Sequence, residues 1–138
     1  TDLTIGYTVH IADTEKKAIE EARPYFEENM KMFAPLGFVR NLSNEQIAAL
    51  ADPSKVHSAG LPTLEMAVEG GGWLCGPPEL ITEKIMEIQE RYPGLEAMNI
   101  GSVIGVPEKV ILEQLEWFGK EVMPKFTGKV ESPATVDN

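Results

Sequence analysis

The twelve residues Leu3-Thr4-Ile5-Gly6-Tyr7-Thr8-Val9-His10-Ile11-Ala12-Asp13-Thr14 decide how the rest of the chain is read. Leu3, Ile5, Tyr7, Val9 and Ile11 alternate with Thr4, Gly6, Thr8 and His10, the period of two that gives a strand two unlike faces. Asp13-Thr14 then offers an N-cap and Glu15 complements the helix dipole. Ala18, Ile19, Ala22, Tyr25, Phe26, Met30 and Phe33 recur near helical spacing, which predicts a helix from about 15 to 33. Pro24 has no backbone donor and crowds the preceding turn, so a kink or a fresh helix start is expected there.

The same strand-then-helix unit returns twice. Trp73-Leu74-Cys75 is a short apolar run, Gly76-Pro77-Pro78-Glu79 suits a first helical turn, and Ile81, Ile85, Ile88 and Tyr92 mark one helical face until Pro93-Gly94. Leu95 to Gly101 is the next apolar run and Gly105-Val106-Pro107-Glu108 repeats the glycine, proline, acid turn. Ile111, Leu115, Phe118 and Val122 form the following stripe, before Pro124. Three β-α units in series are the pattern of a parallel sheet with crossover helices.

Residues 34 to 72 interrupt the series and read as a lid-like insertion. Within it Ser43-Asn44-Glu45-Gln46 is a capping box opening a short helix that Asp52-Pro53-Ser54 ends. A second short helix is expected from Pro62 to Glu69, closed by Gly70-Gly71-Gly72. Insertions on a rigid scaffold serve either as binding loops or as plain surface excursions, and both readings stay open. From 127 to 138 the chain turns polar and a flexible tail is expected.

Composition narrows the function classes. The chain has 138 residues, 12 Lys+Arg against 22 Asp+Glu for a formal charge of −10, and 43% hydrophobic residues, enough to build one core. That acidity, with no basic stretch, argues against nucleic acid or an anionic membrane as partner, since both need clustered Lys and Arg. No apolar run reaches the roughly 18 residues of a membrane span. One cysteine, Cys75, excludes an intrachain disulfide and suits a reducing compartment, so a cytoplasmic location is expected, and no secretory signal is visible.

In a β-α array, ligands collect beyond the carboxyl ends of the strands. That singles out His10, the Cys75-Gly76-Pro77 turn and Asn99-Ile100-Gly101-Ser102. If Leu3, Ile5, Tyr7 and Val9 face helices, then Thr4, Gly6, Thr8 and His10 face the opposite way, which in a closed barrel is the interior. Asn99 points inward by the same parity, where its amide can serve a carbonyl-rich ligand. For His10 and Asn99 a structural hydrogen bond competes with the ligand role. Cys75 has no basic neighbour to lower its pKa, so it reads as a small buried hydrophobe. The glycines of 70–72 and 101–105 match no Walker or dinucleotide fingerprint, and no Lys follows as a phosphate partner. Glu20, Glu21, Glu27, Glu28, Glu83, Glu87 and Glu90 read as solvated helix faces, and His57 has no companion ligand for a metal.

At Thr8-Val9-His10-Ile11-Ala12-Asp13-Thr14, at Gly76-Pro77-Pro78-Glu79 and at Leu115-Glu116-Trp117-Phe118-Gly119-Lys120-Glu121-Val122-Met123-Pro124 the chain resembles the C-terminal part of bacterial luciferase-like flavin-dependent monooxygenases. The resemblance runs in order from residue 3 to about 126. It implies the last β-α units of a (β/α)₈ barrel, with 3–11, 73–75 and 95–101 as the final three strands and a last helix at about 107–123. It implies reduced FMN with O₂ as the chemistry of the intact enzyme, or the deazaflavin F420 in a sister group. A small organic substrate and a separate flavin reductase are the implied partners. It carries over His10, Gly76, Asn99 and Gly101 as lining of the cofactor site at the barrel mouth, and no catalytic residue. A barrel takes about 250 residues, so the resemblance implies an incomplete barrel, inactive alone and prone to self-association through open sheet edges. Two other readings stand beside it: a self-contained α/β binding or assembly domain without catalysis, and a fragment of an F420-dependent reductase.

Overall fold

The computed structural model describes residues 3–39, 41–52, 54–55 and 58–127. His57 and the expected tail beyond Thr127 lie outside the described residues. Strand β1 runs Leu3–Ile11 and helix α1 Glu15–Phe33, followed by the short helices α2, Asn44–Leu50, and α3, Leu64–Glu69. Then come β2, Trp73–Gly76, α4, Pro78–Arg91, β3, Leu95–Gly101, and α5, Glu108–Trp117. A π-helical turn over Phe118–Val122 and a 3₁₀ turn over Met123–Lys125 close the described chain.

The caps read from the sequence are in place. Thr14 accepts from the Lys17 amide at 3.1 Å, and Ser43 and Gln46 form the reciprocal capping box at 3.1 and 2.9 Å. Helix α3 starts two residues later than expected, because Thr63 rather than the residues before it caps the first turn. Helix α1 passes through Pro24 as one element. Its buried stripe of Ala18, Ala22, Phe26 and Met30 continues on both sides of the exposed proline, and this packing holds the helix together across the missing hydrogen bond.

All three strands are parallel and the fold class is the α/β one expected: an open three-stranded sheet of β-α units flanked by helices. The order is β2-β1-β3. The middle strand is β1, whereas in three consecutive barrel strands β2 would take that place. Thr8 pairs with Trp73, and Ile11 with Gly76, on one side of β1; Gly6 pairs with Asn99, and Thr8 with Gly101, on the other. The chain between β2 and β3 therefore crosses β1 and changes sheet edge.

That crossing places helices on both faces. Val9, Ile11 and Leu74 pack with Ile81, Ile85 and Ile88 of α4 and with Val122, and Tyr7, Met98 and Ile100 join them at the margin. Cys75 and Trp73 point the other way, into a second core with Ala18, Ala22, Phe26 and Met30 of α1 and Leu64 of α3. Ile11, Leu64, Ile81 and Val122 are the large side chains fully shielded from solvent, each contributing about 1.5–3 kcal/mol by burial. The inward residues of α5 are Val110, Ile111, Gln114 and Trp117, half-buried, whereas Leu115 of the expected stripe is half exposed. The π turn after Trp117 resets the helical phase, so that Val122 returns to the core.

Candidate functional site

Strand β1 outruns its neighbour β3. The last β1–β3 partners are Thr8 and Gly101, so Val9, His10 and Ile11 extend beyond the end of β3. The free edge of that overhang is filled by a side chain from α5. The Ile11 amide donates to Gln114 Oε1 at 2.6 Å and Gln114 Nε2 donates to the Ile11 carbonyl at 2.8 Å. The Gln114 amide stands in for the next residue of a neighbouring strand.

His10 lies on the face that α1 covers. It is buried, and its Nε2 is 2.9 Å from Glu21 Oε2 on α1. A buried imidazole needs a hydrogen-bond partner, and Glu21 provides it. Glu21 itself stays exposed, as read from the sequence, and the contact with His10 adds a role to that solvated face. It also places His10 beneath a helix rather than on an open barrel interior, because α1 packs on the face where a lumen was expected.

Gly76 ends β2. Its φ of 152° favours glycine, and a Cβ there would stand 2.7 Å from the end of the Leu80 side chain, which would have to shift. Its carbonyl accepts from Ala12, and Pro77 then starts α4 without a side-chain cap. Neighbouring Cys75 is buried, and that burial, with the charge of Glu15, pushes its thiol up to about 12. Such a thiol holds its proton and is a poor nucleophile.

Asn99 and Gly101 are exposed on β3, beside Gly6 and Thr8 of β1. By strand alternation all four lie on the face opposite α4, where α1 does not reach. A Cβ at Gly101 would meet nothing within 4 Å, and one at Gly6 would only touch the Asn99 carbonyl at 4.0 Å. This is a bare, flat patch with one amide side chain, so Asn99 and Gly101 are brought together, while His10 and Gly76 lie toward the β2 side.

Two cavities lie elsewhere. One, of about 590 Å³, follows the free edge of β2 between α1, α3 and α4, and includes Trp73, Cys75 and Leu80. The other, of about 650 Å³, lies between α1 and residues 50–51 and 60–64. His10, Gly76, Asn99 and Gly101 line neither. Among the described residues no group of His, Cys, Asp and Glu could hold a metal ion, and no helix is long and apolar enough to cross a membrane.

A planar, carbonyl-rich ring fits the bare patch: glycines admit it and the Asn99 amide offers both a donor and an acceptor. A phosphate fits less well. Lys16 and Lys17, the cations of the first turn of α1, face Glu20 and Asp13 at 3.9 and 2.9 Å, and the uncapped start of α4 offers only backbone N–H groups.

No family model and no curated protein matches the sequence. Solved structures do. One is the FMN-bound oxygenating constituent of 3,6-diketocamphane monooxygenase from Pseudomonas putida, a type II Baeyer-Villiger monooxygenase, at 22% identity and a TM-score of 0.61 over 90% of this chain. Another is a monooxygenase from Streptomyces bottropensis, at 15% identity and a TM-score of 0.59, again over 90% of this chain. The chain spans 33% and 31% of their lengths. At these identities the likeness is one of fold alone: the open parallel α/β sheet and its helices match part of a TIM-barrel-like architecture.

Proposed function

We propose that the chain is the C-terminal portion of a luciferase-like flavin-dependent monooxygenase, in which reduced FMN and O₂ oxidise a small organic substrate. The observation that carries this is the fold likeness over 90% of the chain to an oxygenating enzyme that holds FMN. The bare patch supports it, since Gly6 and Gly101 leave room for a flavin ring and Asn99 can hydrogen-bond its carbonyl edge. Bound flavin would supply the redox chemistry; this chain's own residues would position the ring and shield one side of it. His10 and Gly76 would shape the neighbouring strand ends, with His10 fixed by Glu21 and Gly76 setting the start of α4. A separate flavin reductase would supply the reduced cofactor. F420 in place of FMN is a variant of the same reading, with the same patch receiving the deazaflavin ring.

Alone, three β-α units offer one wall of a cofactor site, so the isolated chain binds flavin weakly and does not turn over. The test is flavin titration of the 138-residue chain and of the same chain completed with the first five β-α units of a related barrel. Recovery of tight FMN binding only in the completed protein supports the reading; tight binding by the chain alone overturns its incompleteness.

The order β2-β1-β3 with helices on both faces favours a second reading, a self-contained α/β binding domain. It is the order at one end of doubly wound sheets, which bind ligands where the connections change direction. Here that point lies between the ends of β1 and β3, where Gln114 sits. Failure of the completed barrel to bind FMN, with a cooperative melt of the chain alone, would favour this reading.

A further inference from the structure

We propose that the carboxyl end of β1 is a binding site for a planar amide edge, an N–H beside a C=O as in a cyclic imide, and that Gln114 is its built-in occupant. The site already holds an amide. The Ile11 amide donates to Gln114 Oε1 at 2.6 Å, and Gln114 Nε2 donates to the Ile11 carbonyl at 2.8 Å. One carboxamide thus meets both polar groups of one residue at once.

Among the described residues no strand takes that place. β3 last pairs at Gly101 with Thr8, three residues before Ile11, and β2 lies on the other side of β1. There the Ala12 amide donates to the Gly76 carbonyl at 3.2 Å, so by the alternation of a parallel ladder the polar groups of Ile11 point the opposite way. Ile11 is 1% exposed, and its N–H and C=O need partners. In parallel α/β sheets, ligands collect at this end of the strands, where the connections change direction.

The two groups select the class of ligand. A carboxylate offers no hydrogen for the Ile11 carbonyl, and an ammonium offers no acceptor for the Ile11 amide. A charge would also be buried against a neutral peptide, at high cost. What fits is an uncharged amide edge: a primary amide, a lactam or a cyclic imide. It would lie in the plane of the sheet, as a neighbouring strand does, whereas Gly6, Asn99 and Gly101 form a patch on the face of the sheet. The two sites are therefore separate, and this one serves either reading of the function.

Gln114 can withdraw because α5 is lightly attached. No residue of α5 is buried, and Leu112 and Leu115 are 57% and 50% exposed. The helix follows Gly105, at a φ of 96°, and Pro107, and it starts without a side-chain cap. Tethered to the same chain, the Gln114 amide competes with a free ligand at a high effective concentration. Removing it should therefore raise the affinity for that ligand.

The experiment titrates the full chain and its Gln114→Ala variant with succinimide, followed by NMR at the Ile11 amide. Wild type should bind weakly and saturably, with shifts at that amide and at the Gln114 side-chain NH₂. The variant should bind at least ~10-fold tighter. N-methylsuccinimide keeps both carbonyls and lacks the N–H, so it should bind at least ~10-fold more weakly than succinimide. The wild-type comparison of the two imides decides the matter even where the variant does not fold. No saturable shift at Ile11 in wild type, equal binding of the two imides, or a folded variant that gains nothing overturns the proposal.

Discussion

Gln114 and Ile11, 103 positions apart in the chain, exchange two hydrogen bonds of 2.6 and 2.8 Å, and through them a side chain of α5 completes the edge of β1 where β3 stops. The contact joins the third β-α unit to the first. Replacing Gln114 by Ala leaves both groups of Ile11 unpaired in a fully buried residue. A loss of about 2–4 kcal/mol in urea unfolding is expected, and a loss below about 0.5 kcal/mol would mean that water serves the edge equally well.

His10 depends on Glu21 in the same way. With Glu21→Ala the buried imidazole loses its partner, and a destabilisation of about 1–2 kcal/mol is expected. Glu20→Ala, one position away with its side chain 60% exposed, should change stability by less than about 0.5 kcal/mol. Equal effects from the two variants would remove any special role for the contact.

Most of the local structure was legible in the sequence. The alternation from Leu3 to Ile11, the Ser43 capping box and the proline starts of α4 and α5 are decided by neighbours within a few residues, and the structure has them all. The order of the strands was not legible, because periodicity states which face a residue takes but not which strand lies beside it. Glu21 and Gln114 were missed for a related reason. Each is a polar residue on a helix whose partner lies on a distant strand, and the one available signal was that Glu21 adjoins the buried Ala22 and Gln114 adjoins the apolar stripe of α5. The roles of His10, Gly76, Asn99 and Gly101 toward a ligand stand as proposals.

Gly76→Ala tests the turn into α4. The new Cβ would meet Leu80 at 2.7 Å on a backbone with φ of 152°. A destabilisation of about 1–3 kcal/mol is expected in a thermal melt, and near-neutral behaviour would show that Leu80 moves aside freely.

Acid should weaken one exposed contact between α1 and α3. Arg23 Nη1 donates to Glu65 Oε2 at 2.8 Å, and this guanidinium holds the Glu65 carboxyl down to about 2. A carboxyl lowered in the folded state stabilises above its unfolded value and loses that contribution as pH falls, here between about 5 and 2. Both side chains are more than a third exposed, so solvent screening limits the effect to about 1 kcal/mol or less. Glu65→Gln should flatten that part of the pH-stability curve; an unchanged slope would contradict the assignment.

Cys75 should resist alkylation. Its thiol, raised to about 12 and buried, holds its proton at pH 8, so iodoacetamide should label the folded chain at least ~100-fold more slowly than the urea-unfolded chain. Because the raised thiol keeps its proton in the folded state, stability falls as pH rises above the ordinary thiol range near 9. Rapid labelling of folded protein would show that the β2 edge opens.

The most direct test of the account is a parallel NMR titration of the chain with riboflavin and with FMN, following the amides of Gly6, Asn99 and Gly101. A face shaped for the ring but poor in phosphate partners predicts weak binding of both, with shifts at those three residues. FMN should be favoured by no more than the factor of about five that a helix N-terminus supplies. Shifts confined to the two cavities, or FMN bound more than tenfold tighter than riboflavin, would contradict it.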